Sequence, residues 1–331
     1  METTTGPDGP EPPTPDKDEQ PKGESALTVL IAFGANAAVA AAKTAAAVFT
    51  GSASMLAEAA HSWADTGNQV FLLVAQKKSQ RPPDASRPLG YGREAYVWSM
   101  FAAMGLFVAG AAVSVWHGIT QLGHKGPVES PTVAYVVLGV AFVFESVSFA
   151  QAFRQTRGES RSLDRDVLDH ALRTSDPTLR AVLAEDSAAL VGLVIAALGI
   201  FLHQLTGSAV FDALGSILVG LLLGAVALVL IERNRRFLTG QESDERLRQG
   251  VLERITALPE VSRVTYVRLE FFGPRQLVLF ARVDLEGESP ESEVAYALRR
   301  VEESLERDPA ITEALITLAT PEEPALTPSG S

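Results

Sequence analysis

Residues 210–231 read VFDALGSILVGLLLGAVALVLI, and from residue 213 to 231 not one side chain is ionisable. A soluble amphipathic helix repeats a polar stripe about every 3.6 residues, and none recurs here. At ~1.5 Å per residue, 22 such residues cover the ~30 Å of a hydrocarbon core. Working outward, residues 27–49, 55–75, 96–122, 132–153 and 178–202 are stretches of similar length and apolarity. The expected fold class is therefore an α-helical membrane protein with six transmembrane helices, which accounts for 47% hydrophobic residues in a chain that also has charged ends.

Orientation follows from Lys and Arg in the short loops. Lys77, Lys78, Arg81, Arg87 and Arg93 follow the second span, and Arg154, Arg157, Arg161, Arg165, Arg173 and Arg180 follow the fourth. The loops at 50–54, 123–130 and 203–209 hold one such residue, Lys125. Six spans then put both termini in the cytoplasm. Residues 1–26 are rich in Pro, Gly, Thr and acids and lack the order of a signal peptide, so a disordered cytoplasmic tail is expected there.

The transmembrane domain is expected over 27–236, closing on the basic collar Arg233, Arg235 and Arg236, and a small domain over 237–320. In the latter, the pattern gives helices at 243–257 and 291–307 and strands at 261–271, 276–285 and 311–318, with a turn at Gly273-Pro274. This αββαβ order fits an α+β sandwich. The tail 321–331 is again Pro-containing and expected to be disordered. A net charge of −12 excludes a nucleic-acid partner, and the absence of cysteine leaves only nitrogen and oxygen to hold a metal.

Ionisable groups inside a span cost at least ~2.5 kcal/mol and need a partner or a purpose. Glu58, His61, Asp65 and Asn68 recur at spacings of three, four and three, which lines them on one helical face. An imidazole and a carboxylate one turn apart are a ligand pair suited to zinc and its neighbours. Asp65 lies ~15 Å from the outer end of its span and Asp186 ~12 Å from the inner end of the fifth. Acids from two helices thus reach similar depth, where a cation between them would relieve their repulsion. Glu185 points about 100° away from Asp186 and either ligates or pairs with another helix. Glu145 is open to three roles: proton carrier, accessory ligand, or partner of Lys43, which otherwise snorkels outward. Asp212 reads as a cap at the start of the sixth span. His117, His124, His170 and His203 lie near helix ends, where exposed or interfacial positions are expected. Glu270 and Asp284 read as solvated surface.

The chain resembles the cation diffusion facilitators over nearly its whole length. The resemblance rests on TGSASMLAEAAHSWAD at 50–65, RPLGYGR at 87–93, FDALGS at 211–216 and LTGQE at 238–242. It implies a homodimer, exchange of a divalent metal ion for protons by alternating access, and a ferredoxin-like cytoplasmic domain. The family's first ligand pair carries over to His61 and Asp65, and the Asp of its second pair to Asp186, with Gly192 at the usual distance. The His of that second pair does not carry over, because position 182 is Val182. A fourth ligand then comes from Glu185, Asn68, Glu145 or water. Losing a nitrogen ligand tilts the site from zinc toward manganese, iron or cobalt, while likeness to the branch containing an organellar zinc exporter keeps zinc first. No prosthetic group is implied.

A bacterial plasma membrane fits the Ala- and Arg-rich composition. An enzyme is not expected, since the helical His-Glu-x-x-His motif of metallohydrolases is missing. The remaining alternative is a non-transporting scaffold or metal sensor acting through the C-terminal domain.

Overall fold

The computed structural model describes residues 26–123, 131–162 and 166–327. The expected N-terminal tail, apart from Ala26, and His124 lie outside these. Helix α1 (Ala26–Thr50) ends where Gly51 adopts φ +63°, a turn that only glycine makes without strain. Ser52 caps α2 (Ala53–Ser79), its Oγ accepting from the Met55 amide. The third apolar stretch is broken in register: α3 (Glu94–Gly105) and α4 (Val113–Gln121) flank a π-helical turn at Leu106–Ala112. Helix α5 (Pro131–Ser162) runs well past the end expected from its apolar stretch. A short helix α6 (Val167–Arg173), not foreseen, precedes α7 (Pro177–Thr206). Asp176 caps α7 through the Thr178 and Leu179 amides with Pro177 in the first turn, and Gly207 at φ +68° ends it. Helix α8 is Val210–Leu238.

Among the described residues, four helical stretches are long and apolar enough to cross a membrane: Glu94–Gln121, Pro131–Arg161, Pro177–Thr206 and Val210–Leu238. Helix α2 is long enough but more polar, because Glu58, His61, Asp65, Asn68 and Gln69 interrupt its apolar face. The helices approach one another through small residues, as expected where lipid supplies no hydrophobic drive between them. A Cβ on Gly220 would lie 2.9 Å from the Ala111 carbonyl oxygen, and one on Gly118 2.8 Å from that of Ala213, so α4 and the π turn sit directly on α8. Alanines 46, 47, 134, 141 and 196 join Met55, Leu138, Leu193 and Ile200 in a core shared by α1, α2, α5 and α7. Ala57, Ala188, Val219 and Leu223 belong to a second core, between α2, α7 and α8. Helix α2 contributes to both, which puts its polar face in the middle of the bundle.

The C-terminal elements follow the sequence pattern closely: α9 (Glu245–Thr256), β1 (Val261–Gly273), β2 (Gln276–Leu285), α10 (Glu291–Glu306) and β3 (Ile311–Leu318). Strand β2 is central, antiparallel to β1 and parallel to β3, with α10 as the crossover. One apolar cluster holds Leu252 and Ile255 of α9, Val301 and Leu305 of α10, and Leu269, Leu279 and Val283 of the sheet. The tail expected to be disordered from residue 321 is held through 327: the Leu326 amide donates to the Val264 carbonyl (2.7 Å), and Arg263 donates to the Glu323 carbonyl (2.9 Å). The edge of β1 supplies partners that composition cannot reveal.

The sheet touches the helical bundle at two points. Phe237, buried near the end of α8, stacks on Tyr96 (5.0 Å between centroids) and meets Phe271 edge-on (5.5 Å). At the β1–β2 turn, Gly273 packs on Gly92, where a Cβ would fall 2.7 Å from the Gly92 Cα. Arg275, at φ +58°, donates its amide to Ser175 Oγ (3.1 Å) and its guanidinium to Glu159 (2.7 Å). In the loop before α3, hydroxyl donors from Ser86 and Tyr91, both at 2.6 Å, hold the Asp84 carboxyl well below the usual carboxylate range.

Candidate metal site

The polar face of α2 is fixed at its upper end by Asp212. Rather than capping its own helix, as expected, Asp212 reaches across to α2 and accepts from Ser52 Oγ (2.8 Å) and from the Ala53 (2.6 Å) and Ser54 (3.2 Å) amides. Ser54 Oγ donates back to the Asp212 carbonyl (2.8 Å). Helix α2 is thereby docked on α8 with its first-turn donors satisfied.

Below that, His61 and Asp65 face each other one turn apart, Nδ1 to Oδ1 3.4 Å, with the His61 side chain buried and that of Asp65 20% exposed. Asn68, a turn further on, donates its amide to Glu185 of α7. Glu185 therefore pairs with another helix, one of the two outcomes left open by its direction. Asp186 accepts from Ser148 Oγ of α5 (2.7 Å). Polar contacts thus link α1 to α2 through Lys43 and Glu58, α2 to α7 through Asn68 and Glu185, and α7 to α5 through Asp186 and Ser148.

Lys43 does not snorkel, and its partner is not Glu145. It is wholly buried and bonds Glu58 Oε2 at 3.1 Å, with Glu58 equally buried. Thr50 is seven residues away, or ~10 Å along the helix, further than the ammonium reaches. Of the histidines expected at helix ends, His117 is half-buried, as an interfacial position implies, and two others differ. His170 and His203 are buried, at 4% and 5% exposure, and His170 Nε2 lies 3.2 Å from Glu159. Val182 packs against the cluster of Leu72, Ala103, Ala181 and Leu230.

Among the described residues, no three His, Asp or Glu side chains converge closely enough to hold one ion together. Glu185 is drawn to Asn68 and Asp186 to Ser148, while His61 and Asp65 remain a pair. What the region does contain is a concentration of buried polar atoms with no hydrogen-bond partner: both ring nitrogens of His61, Asp65 Oδ1, Asn68 Oδ1, Glu185 Oε1 and Glu58 Oε1. Each such atom costs about 1–3 kcal/mol unless something satisfies it, and those on His61, Asp65 and Glu185 are of the nitrogen and carboxylate types that bind transition-metal cations. Sequence reasoning missed Ser148 and the Lys43–Glu58 pairing; a lysine in an otherwise Ala-rich span is the signal that pointed to the second.

Residues 29–239 match the cation efflux transmembrane domain family. The chain is 38% identical over 240 residues to the mitochondrial proton-coupled zinc antiporter SLC30A9 of Xenopus laevis, covering 72% of this chain and 43% of that protein. It is 35% identical over 234 residues to metal tolerance protein C4 of Arabidopsis thaliana, covering 71% and 51%. With zinc transporter ZitB of Escherichia coli it shares 24% identity over 259 residues, covering 78% and 77%. The matched part of the chain spans about half or less of the frog and plant relatives.

Proposed function

The chain belongs to the cation efflux family, and on that premise we propose that it transports a divalent transition-metal cation, zinc first, out of the cytoplasm in exchange for protons. The observation that carries the reading is the group of unsatisfied donor atoms on His61, Asp65, Asn68 and Glu185, deep on the inner face of α2 and α7. His61, Asp65 and Asp186 are the proposed ligands, with the fourth position filled by Glu185, Asn68, Glu145 or water. The frog and Escherichia coli relatives, named as zinc transporters, support zinc; Val182 in place of a nitrogen ligand supports a share for manganese, iron or cobalt.

Proton coupling follows from the chemistry of these ligands. A neutral imidazole and ionised carboxylates bind the cation, so binding releases protons and protonation expels the ion. Alternating access requires the ion to meet these side chains from one side at a time, and Asp186 must leave Ser148 to join His61 and Asp65 on it. The proposal includes six spans, with α1 and α2 among them, both termini cytoplasmic, residues 237–320 as a ferredoxin-like cytoplasmic domain, and a homodimer in the plasma membrane of a bacterium. Short polar stretches in α2 are tolerated in a span when they face the bundle interior, as here.

The test is zinc flux into sealed vesicles with and without an imposed pH gradient, for wild type, Asp65→Ala and Asp186→Ala. Flux should follow the gradient in wild type and fall at least tenfold in both variants, each of which loses a charged ligand. Undiminished flux in either variant sinks the assignment. Failure of purified wild type to bind zinc or manganese would favour a scaffold that acts through its C-terminal domain, a reading the open spacing of the three ligands keeps in play.

A further inference from the structure

Lys43 and Glu58 are both 0% exposed, 3.1 Å apart, and neither belongs to the proposed ligand set. A buried ion pair is seldom retained for stability, since well-packed apolar side chains of the same volume do as well or better. Its position suggests another reason. Glu58 lies one turn to the outer side of His61 on the same face of α2, and its Oε1 presses on α7 at Gly192, where a Cβ would come within 2.5 Å. Glycine at 192 is what leaves room for it. The pair is thus clamped between α1, α2 and α7, immediately outward of the site.

The field of the Lys43 ammonium reaches His61 and Asp65 on α2 and Glu145 on α5. Glu58 touches it, and Asp65 and Glu145 are the other carboxylates within its field. A site built on carboxylates with no cation of its own would hold a divalent ion too tightly to release it, and transport needs binding that is favourable but reversible. We propose that Lys43 is a tethered counter-cation that weakens the grip of the transport site on its divalent ion, with Glu58 setting how much of that charge the site feels. This inference rests on the transport reading given above and adds a residue that touches neither ion nor ligand.

The magnitude comes from Coulomb's law. From Glu58 to Asp65 is seven residues, ~10 Å along the helix. A full charge acting on a divalent ion across ~10 Å at an effective dielectric of about 20 changes affinity ~100-fold or more, and Glu58 cancels most of that only while both charges are present. The two members of the pair then act with opposite sign. Removing the ammonium tightens binding; removing the carboxylate exposes the ammonium and loosens it. A pair that only holds helices together would weaken binding whichever partner is lost.

The experiment is calorimetric titration of Zn²⁺ into the full-length protein in detergent, with Asp186→Ala as the site control. Lys43→Gln should lower Kd by up to ~100-fold and lower both KM and kcat for flux, while Glu58→Gln should raise Kd. Because Lys43→Gln strands a buried carboxylate and is at risk of misfolding, the comparison of Glu58→Gln with Lys43→Gln/Glu58→Gln repeats the test without that hazard: the double variant should bind more tightly than the single. Shifts of the same sign in the two single variants, or no difference between Glu58→Gln and the double variant, overturn the inference while leaving the transport reading intact. A wild type that binds no Zn²⁺ overturns both.

Discussion

Removing the Asp212 carboxylate should undock the start of α2. The structure gives the bookkeeping for that end of the helix in full. Of the first-turn amides, Ala53 and Ser54 donate to Asp212, Met55 donates to Ser52 Oγ, and Leu56 makes the first bond to a backbone carbonyl, that of Ser52. Asp212 also takes the Ser52 hydroxyl, which orients that cap. Hydrogen bonds to a carboxylate contribute about 1.5–3 kcal/mol each, and unmet buried donors cost about 1–3 kcal/mol. Three such bonds do not add independently, so Asp212→Ala should cost on the order of 4 kcal/mol. Asp212→Asn keeps one good acceptor and turns an amide toward an N–H, for a cost of about 2–3 kcal/mol. Ser52→Ala removes only the local cap and should cost about 1–2 kcal/mol. Reversible unfolding of the full chain in mixed micelles, titrated with dodecyl sulfate, measures all three. An Asp212→Ala variant within about 0.5 kcal/mol of wild type, the range of an ordinary surface change, would refute the docking role.

Helix packing gives a paired test: Gly220→Ala forces a Cβ to 2.9 Å from the Ala111 carbonyl and should cost about 1–3 kcal/mol, whereas Gly224→Ala meets its nearest atom at an ordinary 3.5 Å and should be near neutral in the same unfolding assay. At the β1–β2 turn, Arg275→Ala loses the Glu159 contact while keeping the left-handed backbone, so hydrogen exchange at 272–276 should speed up more than in Arg275→Gly, which relieves about 1 kcal/mol of strain; the reverse order would argue against strain at φ +58°. In the C-terminal unit the Ala310 amide and then Arg254 lower the Asp308 carboxyl, and the Thr265 hydroxyl and then Arg282 lower that of Glu323. Their folded values lie below the unfolded ones, so the stabilisation is complete above the ordinary carboxylate range near pH 4 and is lost as pH falls through the depressed values. Denaturation profiles from pH 7 to pH 2 should lose part of that slope in Thr265→Val, and an identical slope would show that the hydroxyl bond contributes nothing.

Much of this molecule is written locally. The strands at 276–285 and 311–318 come from short runs rich in apolar and β-branched residues, and the ends of α7 from Asp176, Pro177 and Gly207, each of which acts within a few residues of itself. Apolarity over 20 residues is likewise a local property, so the helices of Glu94–Gln121, Pro131–Arg161, Pro177–Thr206 and Val210–Leu238 could be read from the chain alone. The cost of an ion in hydrocarbon marked His61, Asp65 and Asp186 as residues that needed a reason to be there.

Pairing was beyond the sequence, because a buried charge announces that it has a partner but not which one. The sequence offers Glu145 as a partner for Lys43, and the fold gives it Glu58; Glu185 found Asn68; Asp186 found Ser148 on a helix 38 residues away. Asp212, at the head of its own helix, had every local reason to cap it, yet serves α2, 158 to 160 residues distant in the chain. Those choices depend on which small residues let which helices touch. Only the packed bundle, with Gly192, Gly199 and Gly215 set against the side chains of Glu58 and Ser54, decides that. The sequence by itself determined which elements form and which residues are too costly to be idle; the tertiary structure decided who meets whom, since contact between distant helices is set by shape and not by spacing.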